Sequence, residues 1–304
     1  MQNRVLAIIV LAAMQFLPPV LLAAGLPSEY QQALAYLAKQ GDYKNRVFRV
    51  VIPRDDLQVN VDGVDAPTAF GFDGWLAMTK GKDGLDVMMG DLVLLQDEVN
   101  PVMAVLLDND LEVTALNNHF FWEEPRIFYV RVLGRGRAVE LAKKVKPALD
   151  LIGSNIAGVT TPEINPDFAR GDLNTSALSR IIGHAGEQNG QVYKITIDRD
   201  DLKVDVMGAR ISSRMGLNTW AAFYGSNERA AMTGEVATLE NEVAPVLRAL
   251  RAHDLDVVGI HQPMIGSRPV VIFLHYWGQG PAAKLAEGFK AALDQLGRGV
   301  NRDH

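Results

Sequence analysis

The 304-residue chain contains no cysteine. Disulfides and thiolate metal sites are therefore excluded, as is bacterial-type lipid attachment to an N-terminal cysteine. Positive charge is not in excess: 30 Lys and Arg stand against 36 Asp and Glu, a net charge of −6. The cations are dispersed rather than gathered in a stripe, so no nucleic-acid partner is expected. Two common catalytic signatures, Gly-x-Ser-x-Gly and His-Glu-x-x-His, are missing. Gly134-x-Gly136 and Gly278-x-Gly280 open helices after strands, but Val139 and Ala283 stand where a dinucleotide fingerprint needs its third glycine. No nucleotide cofactor is expected, and a tight strand-to-helix turn is the better reading.

Charge is also scarce at the start, where Arg4 is the only charged residue before Glu29. Val5 to Leu11 is unbroken apolar sequence, and Ala23-Ala24-Gly25 supplies small residues for cleavage. Residues 1–25 read as an export signal. The alternative is a retained anchor, but Pro18-Pro19 interrupts the run, and what precedes is short for a span of roughly 20 residues. Export predicts a periplasmic or secreted protein with no stable membrane span after cleavage.

What the chain does contain is a duplication. Met89 to Leu149 returns as Thr233 to Leu293, each copy carrying Glu-Val-x-Pro-Val, a Leu-acid-Val strand, a polar corner, an apolar strand and Gly-x-Gly. Earlier, Arg54-Asp55-Asp56-Leu57 returns as Arg199-Asp200-Asp201-Leu202. The expected organisation is a first unit over 26–152, a linker over 153–171 and a second unit over 172–304. In each, a helix is followed by several strands and then a β-α-β-β-α tail in ferredoxin-like order. The predicted fold is α+β: two tandem homologous units, each a mostly antiparallel sheet covered by helices. Asp97 and Asn241 are expected as helix N-caps, with Glu98 and Glu242 in the first turn.

The lengths of the second helix and the strand after it nearly cancel. Glu242 and His261 should thus lie at the same end of their unit, and Glu98 should lie near Asn117 and His119 in the first. A simple hairpin of residues 255–261 with 269–277 would place His275 on the order of 20 Å from His261, outside the same site. Imidazole with carboxylate suits Zn or Cu, but such a site needs three or four converging ligands. The metal-ligand candidates are His119, His261 and Glu242. Alternatively the glutamates are first-turn charges and the histidines ordinary surface groups. Phe120-Phe121-Trp122 forms an aromatic corner in which Trp122 could stack on a sugar ring or a partner, or simply close the hairpin.

The segments Glu-Val-Asn-Pro-Val, Leu-Glu-Val-Thr-Ala-Leu-x-Asn-His-Phe and His275-Tyr276-Trp277-Gly278-x-Gly280-Pro-Ala resemble the LppY/LpqO family of exported bacterial proteins, which carry a domain of unknown function twice. The resemblance implies a secreted or periplasmic protein and no established reaction. A His-Asn-His corner with a further His in the next strand is the family pattern. Here Asn117-Asn118-His119 is followed by Arg131, and His261-Gln262-Pro263 by His275.

The sequence thus predicts an exported, non-catalytic module binding a small molecule, a cell-wall component or a protein. Its tentative ligand residues are Glu98, Asn117, His119, Trp122, Glu242, His261 and His275. The alternative is a Zn or Cu protein, or a metal-dependent enzyme, using His and Glu from both repeats.

Overall fold

The structure, a computed structural model, describes residues 25–154 and 171–297. The expected export signal and most of the expected linker lie outside the described residues.

The first repeat runs α1 (Ser28–Leu37), β1 (Gly41–Lys44), β2 (Val47–Pro53), β3 (Val59–Val61), β4 (Val64–Ala66), β5 (Asp73–Lys80), β6 (Asp86–Leu95), α2 (Gln96–Asp108), β7 (Glu112–Asn117), β8 (Glu123–Glu124), β9 (Ile127–Gly136) and α3 (Ala138–Leu149). The second runs α4 (Thr175–Ile182), β10 (Glu187–Asn189), β11 (Val192–Asp198), β12 (Asp205–Val206), β13 (Ala209–Arg210), β14 (Asn218–Gly225), β15 (Ala230–Thr238), α5 (Glu240–Ala252), β16 (Asp256–His261), β17 (Ile272–Gly280) and α6 (Ala282–Leu293). The sheet orders are β1-β2-β5-β6-β9-β7 and β10-β11-β14-β15-β17-β16. They are the same topology twice, antiparallel throughout. This is the expected α+β fold in two repeated units.

The strands are apolar on both faces because both faces are covered. Along β9, Val130 and Val132 join the core under α1, α2 and α3. Tyr129 and Leu133, alternating with them, point the other way, into clusters shared with the second repeat. In β17, Leu274 and Tyr276 face the helices, while Phe273 and Trp277 face the first repeat. Period-two alternation thus gives each sheet a helix face and a face turned to its twin. The result is four layers: helices, sheet, sheet, helices.

Helix starts differ from expectation in one detail. Asp97 and Asn241 are not the caps; α2 and α5 begin earlier, behind Leu95 and Leu239. Glu98 and Glu242 reach back instead and accept the Leu95 and Leu239 N–H groups, each at 2.8 Å. The Gly-x-Gly turns are structural, as read from sequence. A Cβ on Gly134 would meet Leu111 Cδ2 at 2.7 Å and one on Gly278 would meet Leu255 Cδ2 at 2.6 Å, so a larger residue at either position would push that leucine aside.

Candidate functional site between the repeats

Glu98 and Asn117 do lie at one end of the first repeat: Leu95, at the end of β6, pairs with Ile127, and Asn117 pairs with Tyr129 two residues further along β9. The faces, however, are opposite. The α2 helix packs on the helix face, whereas His119 stacks on Tyr129, on the face turned to the second repeat. The sheet stands between the glutamate and the histidine, and the same separation divides Glu242 from His261.

Each glutamate is also fully occupied. Glu98 accepts from Arg54 Nη1 at 2.6 Å, from Leu95 N at 2.8 Å and from Gly153 N at 2.6 Å. Glu242 repeats the pattern with Arg199 at 3.1 Å, Leu239 N at 2.8 Å and Gly297 N at 2.6 Å. These are duplicated structural clamps tying the strand end, the helix start and the chain after the last helix. Asp56 and Asp201 complete them, each 2.8 Å from the guanidinium.

The histidines behave differently from expectation. His275 is not remote from His261: β17 begins only at Ile272, after a long connection, so His275 pairs with Gly259 and Phe273 with His261. A register shift at Val257/Gly259 completes the change. His261 and His275 become diagonal neighbours on one sheet face, ring centroids 4.9 Å apart and planes 5° apart. His119, from the other repeat, stacks on His275 at 3.7 Å and lies 6.0 Å from His261. Gly259 lies against the cluster: a Cβ there would stand in ordinary contact with the His275 ring at 3.4 Å and Asn118 O at 3.5 Å. The ligand-capable atoms of His119, His261 and His275 all lie within 4.8 Å of one another. Burial is the main force lowering the pKa of all three imidazoles, His261 to about 4, with His119 and His275 well below the usual histidine range. Arg131, the remaining influence on His261, adds to it.

Of the other candidates, Asn117 closes β7 and donates to Asn118 O at 3.3 Å. Trp122 is 44% exposed against Phe121, outside the cluster. The plug at this corner is Phe120, packed on Phe72 at 5.3 Å and on Trp277 of the second repeat at 5.8 Å.

Beside the histidines lies a cavity of about 470 Å³, lined from both repeats by Arg49, Trp75, Asp91, His119, Arg131, Lys194, Trp220 and Glu235, among others. It is pseudo-symmetric. Arg49 corresponds to Lys194, Trp75 to Trp220, Asp91 to Glu235, and Arg131 to His275 along the repeat. Arg49 and Arg131 lie over Trp75 at 4.5 and 5.2 Å, and Lys194 lies over Trp220 at 4.0 Å. Arg131 pairs with Asp91 at 3.2 Å and His275 approaches Glu235 at 3.4 Å, the same contact in each repeat. Gly216 in the second repeat sits against Trp75, and its counterpart Gly71 faces Trp220.

Burial dominates the electrostatics. It raises Asp91 and Asp73, and lifts Glu235 to about 8, partly against the attraction of Arg131. Burial followed by repulsion from Arg49 brings Lys194 down to about 8, and burial brings Arg49 to about 10. Arg131 is 4% exposed, yet its Nε and Nη1 have no hydrogen-bond partner. None of the cavity's charged pairs was singled out from sequence. The available signal was charge at alternating positions of central strands that are otherwise apolar, present in both copies.

A model of the family described as Domain of Unknown Function (DUF1259) matches the chain twice, over residues 31–151 and 176–295. The chain belongs to this family. That assignment replaces the resemblance to LppY/LpqO proteins. No curated protein matches the DUF1259 chain. Solved structures similar to it include microcompartment shell proteins. EtuB from Clostridium kluyveri is 11% identical, with 85% of this chain and 91% of that one covered and a TM-score of 0.20. The trimeric bacterial microcompartment shell protein PduB is 12% identical over 84% and 91%, with a TM-score of 0.21. The fused permuted hexameric shell protein MSM0275 from the RMM microcompartment is 15% identical over 82% and 94%, with a TM-score of 0.18.

The latter two neighbours are shell components rather than exported binding proteins. The periplasmic or secreted location and the cell-envelope binding module expected from sequence, with its His/Glu Zn or Cu alternative, find no support among these neighbours. The glutamates of that alternative are in any case held by arginines. TM-scores near 0.2 carry no assignment of shell building to this chain. Among the described residues, no helix is long and apolar enough to cross a membrane.

Proposed function

We propose that the DUF1259 chain takes a small anionic organic molecule, a carboxylate or phosphate ester with a flat apolar part, into the cavity between its repeats. The observation carrying this reading is Arg131, whose buried Nε and Nη1 donors lack partners beside the cavity they line. A buried donor left unmade costs about 1–3 kcal/mol, more when charged, and an anion bound there recovers it. Arg49 and Lys194 add positive charge, while burial pushes the facing acids towards their neutral forms. The indoles of Trp75 and Trp220 supply flat walls. Both repeats contribute, so the duplication builds one site rather than two.

The test is calorimetric titration of chelator-treated protein with aryl carboxylates and aryl phosphates, using wild type and Arg131→Met. Saturable binding weakened at least tenfold by Arg131→Met supports the reading. No binding across the panel, or binding indifferent to Arg131→Met, overturns it.

A further inference from the structure

We propose that His119, His261 and His275 form a three-imidazole site for one divalent transition-metal ion, with its open coordination position towards the cavity. This centre differs from the histidine–glutamate set expected from sequence. It has no carboxylate ligand, and it includes the histidine that a simple hairpin places remotely.

Three observations carry it. The candidate ligand atoms lie within 4.8 Å of one another. In a tetrahedral site with metal–nitrogen bonds of about 2.0–2.1 Å, neighbouring ligand nitrogens are roughly 3.3 Å apart, so the stacked rings need to tilt out of their near-parallel planes to turn three nitrogens onto one ion. Second, His261 Nδ1 and His275 Nε2 are buried without a hydrogen-bond partner. An imidazole buried for packing alone normally has its polar atoms satisfied; here both unpartnered nitrogens belong to the cluster. Third, Glu235 Oε2 stands 3.4 Å from that same His275 Nε2, so an acid lies beside the ligand set, where a bound cation would favour its ionised form. Three nitrogen donors suit Zn, Co, Ni or Cu rather than Mg or Ca. Because His119 also lines the cavity, a molecule held there can reach the fourth position. The inference goes beyond the anion site and stands without it.

The experiment loads chelator-treated full-length protein with Co²⁺ and then displaces it with Zn²⁺, following the visible d–d bands and the heat of binding. Wild type is expected to bind one ion with the intense spectrum of a four-coordinate, nitrogen-rich site. His119→Ala, His261→Ala and His275→Ala should each weaken binding at least 100-fold, whereas His184→Ala and His253→Ala should leave it unchanged. Should His275→Ala fail to fold, His275→Gln carries the test. Absence of stoichiometric binding, or binding unaffected by these substitutions, overturns the proposal. Anion affinity is measured in metal-free protein, so the two readings fail separately.

Discussion

His261 and His275 lie face to face with their planes 5° apart, and it is the bulge at Gly259 and the late start of β17 that bring them together. His119 then arrives from the opposite repeat. This packing brings the three imidazoles together, where the sequence left open a corner site in each repeat or one site combining both.

The packing itself is testable because the chain has no cysteine. Gln279 of the second repeat donates to Asp62 O at 2.9 Å and to Asp62 Oδ2 at 2.8 Å in the first. An Asp62→Cys, Gln279→Cys double variant should form an intramolecular cross-link with a short bis-maleimide at high yield in native buffer. Peptide mapping checks it; a yield no greater than in denaturant would mean the sheets do not face each other.

Gly216 adopts φ +89°, and a Cβ there would stand 2.9 Å from the Trp75 ring and 3.2 Å from Arg131 Nη1. Gly216→Val therefore combines backbone strain with overpacking and should cost about 2–4 kcal/mol in urea unfolding. It should also shrink the cavity and weaken aryl carboxylate binding. The exposed turn glycine Gly190, with φ +58° and nothing near its Cβ, should lose less on the same substitution, since only the strain applies.

The two arginine clamps should matter for stability and not for the site. Glu98→Ala or Glu242→Ala removes one of two carboxylates from a buried guanidinium and the acceptor of two backbone N–H groups, a loss of about 3 kcal/mol each. Cobalt binding by the folded fraction should be unchanged, because the sheet separates each glutamate from the histidines. A spectral change at equal folded fraction would place the glutamates in the centre after all.

Acid should loosen the same clamps. Burial is the largest influence on Asp56 and favours its neutral form, but the hydrogen bonds and the charge of Arg54 together outweigh it and lower the pKa; Asp201 is lowered first by the hydrogen bonds from Arg199. Carboxyls depressed in the folded state contribute stability above their unfolded pKa, near 3.8. That contribution is lost as pH falls below it. Urea midpoints between pH 7 and 3 should fall less steeply for Asp201→Asn than for wild type.

Lys194 titrates near 8 because of burial and then Arg49. It lies 4.0 Å over Trp220, so Trp220 emission should change with a midpoint near pH 8. Glu235, lifted to about 8 in the same cavity, titrates in the same window, so the Lys194 component is the part lost in Lys194→Met, and removing the like charge with Arg49→Met should move that part upward. Since the folded pKa lies below the usual 10.5, stability falls as pH drops from there to about 8 and then levels off.

The sequence was readable where local rules operate. The duplication, the α+β order and the glycine turns follow from periodicity and breakers, and even the shared end of Glu98 and Asn117 follows from element lengths. Which side of the sheet a residue occupies does not. His119 lies beyond the end of β7, where alternation no longer fixes direction, and the connection before β17 hides the register that decides the place of His275. The cavity was partly legible: Arg49, Asp91 and Arg131, with Lys194, Glu235 and His275, interrupt the same face of equivalent strands. Recognising them requires knowing that this face meets its twin.

The most direct measurement of one shared centre is native mass spectrometry of the full-length protein loaded with Zn²⁺, alongside His119→Ala and His275→Ala. The account predicts a single retained ion per chain, lost when a histidine from either repeat is removed. Two ions per chain, or one ion that survives loss of His119, would contradict it.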